Sequence, residues 1–116
     1  MLIVDDDPHL VFALQEVLDD AGYETKVAGD GHAAIQRLTT FPPDVIVLDL
    51  NMPHMNGLEL LDWLKANGID VPVVVATTDE KTSPRDLGAA VKLTKPFTLE
   101  QLLEGIAGAL KTAGPG

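Results

Sequence analysis

The stretch Asp44-Val45-Ile46-Val47-Leu48-Asp49-Leu50-Asn51-Met52-Pro53 decides how this chain folds. Its four central apolar residues, three of them β-branched, make a run too short for a buried helix. It suits a strand covered on both faces. The run ends in a carboxylate, and the Met52-Pro53 pair that follows cannot extend a central strand. Asp49 is therefore expected at the C-terminal end of a buried parallel strand. Open α/β sheets place ligands and chemistry at that edge, which makes Asp49 the candidate reactive centre.

Similar punctuation recurs on both sides. Leu2-Ile3-Val4 is a second apolar run, closed by Asp5-Asp6-Asp7, after which Pro8 suits the first position of a helix capped by Asp7. Leu10, Val11, Leu14 and Leu18 follow at helical spacing, and Gly22 is a natural stop. Tyr23 to Ala28 reads as a strand with polar alternation, nearer the sheet edge. Asp30-Gly31 opens a short helix that turns Ala34, Ile35 and Leu38 inward and ends at Phe41-Pro42-Pro43. After the Asp49 strand, Met52 to Asn56 is a loop, and Gly57 to Asn67 a helix with Leu58, Leu61 and Leu64 on one face. Val71 to Thr77 is a third apolar strand. Ser83-Pro84-Arg85-Asp86 has capping-box form, but the helix it opens is short and meets Gly88. Val91 to Thr94 is a weaker strand. Thr98 and Gln101 then cap a helix carrying Leu99, Leu102, Leu103, Ile106 and Leu110, and the chain ends on Lys-Thr-Ala-Gly-Pro-Gly, a frayed end or the start of a linker. Five short βα units in alternation require right-handed crossovers and a parallel sheet.

Composition narrows the chemistry. The 116 residues allow one domain with a single core. With no cysteine, disulfides, zinc–thiolate sites and cysteine nucleophiles are excluded. A net charge of −10 opposes binding to nucleic acid or to an anionic membrane. The absence of a secretory leader or a long apolar run favours a soluble, intracellular setting.

Polar residues stand where the apolar runs stop: Asp5 and Asp6, Asp49, Thr77 and Lys95. In a parallel sheet these ends share one edge. At about 5 Å and an effective dielectric near 20, each pair of carboxylates repels by roughly 3 kcal/mol, and three pairs approach ~10 kcal/mol. Such a cluster needs protons or a cation. A hard divalent ion that keeps some of its waters, Mg2+, fits an incomplete oxygen shell. Lys95 and Thr77 are instead an ammonium and a hydroxyl suited to phosphoryl oxygens, and a carboxylate is a competent nucleophile for an acyl phosphate. Taken singly, each feature has a plainer reading. Asp5-Asp6-Asp7 can cap a helix, Lys95 can be solvated, and Thr77 can bond to backbone. His9, His32 and His54 read as surface residues, and Trp63 as helix packing.

Val4-Asp5-Asp6-Asp7, Leu48 to Gly57, Thr77 and Lys95-Pro96-Phe97 resemble, in the same order, the motifs of receiver domains of two-component response regulators. The resemblance implies a flavodoxin-like, doubly wound five-stranded parallel sheet of order 2-1-3-4-5, over residues 1–112, with 113–116 as a tail or linker start. It implies a phosphoryl group taken from a histidine kinase or histidine phosphotransfer protein onto Asp49. Asp6 and Asp49 would ligate Mg2+ directly, Asn51 through its backbone carbonyl, and Asp5 through water. Thr77 and Lys95 would hold phosphoryl oxygens, and the Lys95-Pro96 bond would be cis. The implied partners are that phosphodonor and an effector domain or downstream protein in the cytoplasm, with a homodimer left open. Such a domain is not an enzyme beyond its own phosphorylation and dephosphorylation.

Two departures stand out. The 17 residues between Thr77 and Lys95, positions 78 to 94, fall about one helical turn short of the family pattern. Lys92 occupies the place, three before the lysine, where the family has an aromatic residue. Both point to an altered output through the fourth helix, fifth strand and fifth helix. Thr78 is bulkier than the usual residue after the threonine, while Asn51 and Asp79 flank the site. Two other functions compete: a receiver-like docking module that works without phosphate, and a haloacid-dehalogenase-like phosphatase suggested by Asp49-Leu50-Asn51. The latter lacks the second acid at Asn51.

Overall fold

The short apolar runs become strands and the 3.6-residue patterns become helices. A computed structural model of the chain describes residues 1–51 and 57–112. The order is β1 (Leu2–Val4), α1 (Pro8–Asp20), β2 (Lys26–Ala28), α2 (Gly31–Thr40), β3 (Ile46–Asp49), α3 (Gly57–Ala66), β4 (Val73–Thr77), α4 (Pro84–Leu87), β5 (Val91–Thr94) and α5 (Leu99–Thr112). All strand pairs are parallel, in the order β2-β1-β3-β4-β5. The chain order therefore reverses its winding between β1 and β3, which is where a doubly wound sheet opens a crevice.

Alternation along the strands divides the core in two. Ile3, Val47, Val74 and Leu93 face one side, where Val11, Leu14 and Leu18 of α1 and Leu102, Ile106 and Ala109 of α5 cover them. Leu2, Val4, Ile46, Leu48, Val73 and Val75 face the other, under Ala34 of α2 and Leu60, Leu61 and Leu64 of α3. Half-buried Trp63 and Leu87 pack against this second layer, as the plain reading of Trp63 expected.

The caps form as read. Asp7 accepts from the N–H groups of His9 and Leu10, with Pro8 at the first helical position. Asp30 accepts from Ala33 and Ser83 from Asp86. Thr98 and Gln101 bond reciprocally, at 2.8 and 3.1 Å. The fourth helix is four residues long and ends at Gly88 with φ +73°, a conformation that glycine adopts at no steric cost. Lys95-Pro96 is cis.

Three expectations need correction. Leu58 is 49% exposed, and Leu60 takes the inward place beside Leu61 and Leu64. Leu99 is 46% exposed, because α5 is only beginning there and its buried face starts at Leu102. The second strand is confined to Lys26–Ala28; before it, Thr25 gives its hydroxyl to Asp19, at the end of α1, and accepts from Gln15. The Met52–Asn56 loop, with His54, and residues 113–116 lie outside the described residues.

Gly57 shows why the chain needs no side chain there. A Cβ would come within 2.3 Å of Leu50 Cδ2 and 3.3 Å of the Asp49 carbonyl oxygen. The start of α3 is thus pressed against the backbone that carries Asp49.

Thermal or denaturant unfolding checks the two faces of α5. Ile106→Ala, at a fully buried position, should cost about 2–5 kcal/mol. Leu99→Ala should stay within about 0.5 kcal/mol, and a larger loss there would restore Leu99 to the core.

Candidate phosphoacceptor and metal site

Register brings the polar strand ends together. Val4 pairs with Leu48, so Asp5 is level with Asp49, and Asp49 pairs with Ala76. Thr77 stands one residue beyond that level, opposite Thr94, and Lys95 follows directly. Asp5, Asp49, Ala76 and Lys95 line a small cleft on the α1/α5 side with Leu10, Leu14 and Phe97.

Carboxylate oxygens of Asp5, Asp6 and Asp49 lie within 4.8 Å of one another. Asp5 and Asp49 are 7% and 6% exposed, whereas Asp6 faces solvent. Repulsion between the two buried groups therefore carries most of the electrostatic penalty, and that from Asp6 is screened by water. Burial is the main reason the Asp5 carboxyl lies above its usual 3.8. The Asp7 N–H, at 2.9 Å from Asp5 Oδ1, opposes that rise, and the negative charge of Asp49 adds to it.

One cation answers three anions among the described residues. Lys95 Nζ is 2.7 Å from Asp49 Oδ1, and its side chain is 25% exposed. The same Oδ1 accepts the Asn51 N–H at 2.9 Å. Taking the three carboxylates as ionised, the cluster keeps a charge of about −2 after this pairing. Oxygen-only donors with an uncancelled charge of that size suit a hard divalent cation, so the residues present fit Mg2+.

Thr77 reaches the site through its neighbours. Its carbonyl accepts the Lys95 N–H at 2.8 Å, and its Oγ1 accepts the Asp79 N–H at 3.1 Å. Asn51 Oδ1 accepts from Thr78 N–H at 3.3 Å. His9 and His32 are exposed, as expected of surface residues. Ala76 escaped the sequence reading. A small residue breaking the Val73-Val74-Val75 run, level with Asp49, was the available signal.

The comparisons with known proteins agree with this geometry. The pattern of the family described as "Response regulator receiver domain" matches residues 1–107. The chain belongs to that family. Response regulator MprA of Mycolicibacterium vanbaalenii is 37% identical to this receiver domain over 119 residues, which take in 99% of the chain and 52% of that protein. The chain thus spans about half the length of the curated relatives it matches. Among solved structures, the receiver domain of the Francisella response regulator 1452 superposes with a TM-score of 0.89 at 30% identity, covering 97% of this chain and 96% of that one. The response regulator TrrA of Thermotoga maritima, solved in complex with Mg2+-BeF, gives 0.81 at 27% identity, covering 91% and 94%. No helix among the described residues is long and apolar enough to cross a membrane.

The raised Asp5 value sets a sign for stability. The folded, metal-free receiver binds the Asp5 proton more tightly than the unfolded chain. Ionising Asp5 thus costs stability as pH rises from 3.8 through the raised value. Asp5→Asn, which keeps an acceptor for the Asp7 N–H, should therefore raise the metal-free Tm at pH 7, with the gain vanishing below pH 3.8. A lower Tm at pH 7 would contradict this.

Proposed function

We propose that this receiver takes a phosphoryl group onto Asp49 in a Mg2+-dependent reaction, from a histidine kinase or histidine phosphotransfer protein, within a two-component system. The observation that carries the proposal is the 2.7 Å contact of Lys95 Nζ with Asp49 Oδ1 at the rim of three clustered carboxylates. A nucleophilic carboxylate, a cluster short of positive charge and a poised ammonium are the parts that phosphoryl transfer uses.

Each side chain has a definite task in this reading. Oδ1 of Asp49 holds two donors, Lys95 and the Asn51 N–H, which leaves Oδ2 to attack phosphorus. The bond from phosphorus to the donor's imidazole nitrogen breaks, the nitrogen keeps the electron pair, and an acyl phosphate forms on Asp49. The Lys95 ammonium then passes from the carboxylate to the anionic phosphoryl oxygens, and the Thr77 hydroxyl donates to one of them. Asp6, Asp49 and the Asn51 backbone carbonyl would hold Mg2+, with Asp5 acting through water. When bound, the ion supplies the positive charge that the carboxylates leave unmatched.

The domain is read as residues 1–112, with 113–116 beginning a tail or linker. It acts in the cytoplasm and catalyses only its own phosphorylation and dephosphorylation. It signals to an effector domain or downstream protein through the α4/β5/α5 face, where the four-residue α4 and Lys92 depart from the pattern that the family resemblance implies.

Incubation with acetyl phosphate and Mg2+, followed by mass spectrometry, tests the proposal. Wild type should acquire one hydroxylamine-sensitive phosphoryl adduct, Asp49→Asn none, and Lys95→Ala should label roughly 10²-fold more slowly. An undiminished adduct on Asp49→Asn would move the nucleophile elsewhere, and no adduct on wild type would favour a docking module.

A further inference from the structure

We propose that Lys92, acting through Thr82 and Asp79, is a positioning residue that fixes the β4–α4 loop and thereby aims the Thr77 hydroxyl for the reaction at Asp49. The inference rests on the phosphoacceptor reading and adds a part to it.

The bonds form a continuous path. Lys92 Nζ donates to the Thr82 carbonyl oxygen, ten residues earlier in the chain. The Thr82 hydroxyl donates to Asp79 Oδ2, while Asp79 Oδ1 accepts the Lys81 N–H at 2.9 Å. The Asp79 N–H in turn donates to Thr77 Oγ1 at 3.1 Å. A hydroxyl has one proton and two lone pairs. Because Thr77 Oγ1 accepts from the loop, the direction of its remaining proton depends on where the loop holds the Asp79 amide.

Among the described residues, the loop has little else to hold it. Thr78 to Lys81 are exposed, and the helix that follows is one turn long, with no buried residue and Leu87 only half-buried. Side-chain bonds to the rest of the domain enter near its two ends: Asn51 Oδ1 to the Thr78 N–H, and Lys92 to Thr82. Lys92 is unusual in its own right. It lies in β5 opposite Val75 and is half-buried, where a lysine would ordinarily run its ammonium out to water. Here the ammonium ends on a backbone carbonyl instead. The Asp79 carboxyl is held below its usual value by the Thr82 hydroxyl first, then the Lys81 N–H, with a contribution from the Lys92 charge, so the brace favours the ionised form. Lys92 thus serves as an anchor for the loop next to Asp49.

The test follows the rate of acyl-phosphate formation from acetyl phosphate at saturating Mg2+, in wild type, Lys92→Met, Lys92→Arg, Thr82→Val and the Lys92→Met/Thr82→Val double variant. Lys92→Met should label roughly three- to tenfold more slowly, with its Mg2+ midpoint unchanged because the carboxylates are untouched. Lys92→Arg should recover most of the rate. Thr82→Val should show a similar loss, and the double variant should be little worse than either single one. Exchange of the Asp79 amide proton should quicken in Lys92→Met. Wild-type labelling rates in both Lys92→Met and Thr82→Val would overturn the brace alone. So would a loss explained by a matching shift of the Mg2+ midpoint. Absence of label on wild type would overturn the reading of Asp49, and the role of Lys92 with it.

Discussion

The repulsion between buried Asp5 and Asp49, only partly answered by Lys95, is the constraint on which the rest of this molecule turns. Carboxylate oxygens within 4.8 Å in a poorly solvated cleft repel by about 3 kcal/mol at an effective dielectric near 20. That is a sizeable fraction of a small domain's stability of ~5–15 kcal/mol. The fold can carry this cost because the carboxylates stand on the ends of strands whose own residues are fully buried. Leu2, Val4, Ile46 and Leu48 lock the register of β1 against β3, and the register alone puts Asp5 level with Asp49. A one-residue slip would turn these side chains to the opposite face and disperse the cluster.

The same backbone explains why the site is rigid on one side and lightly held on the other. Gly57 presses α3 against Leu50 and the Asp49 carbonyl, and Asn51 returns its N–H to Asp49 Oδ1. The half of the site around Asp49 therefore rests on close contacts that leave little freedom. The half that carries Thr77 depends on the loop after it, where, among the described residues, few apolar contacts exist and polar bonds must do the fixing. A one-turn α4 with no buried residue offers this loop little packing, and Lys92 supplies a tie. In a signalling domain, a loop held by a few breakable bonds is where occupancy of the site can be converted into a change of surface.

Much of this was legible in the residues. Val45 to Asp49 gave the central strand because β-branched density and a terminal carboxylate allow no other element of that length. The convergence of Asp5, Asp6, Asp49 and Lys95 followed from parallel topology alone. Leucine-rich helices were harder. In α3 the residues Leu58, Leu60, Leu61 and Leu64 satisfy a helical face in two phases, and only packing into the layer that holds Ile46, Leu48, Val73 and Val75 selects the one with Leu60 inside. The first turn of α5 misled for a related reason, since a periodic pattern extends one turn beyond the layer that covers it. The bond made by Lys92 was beyond reach: its partner is a backbone carbonyl in an irregular loop, and backbone acceptors carry no sequence signature.

The most direct measurement of the central claim is the Tm of wild type and of Asp5→Asn across a Mg2+ titration at neutral pH. If unmatched carboxylate charge governs the site, Mg2+ raises the wild-type Tm progressively, following the mass-action law for a ligand bound by the folded state. The variant, with one charge of the buried pair removed, then responds much less. A wild-type Tm indifferent to Mg2+, or an equal rise in both proteins, would contradict the account.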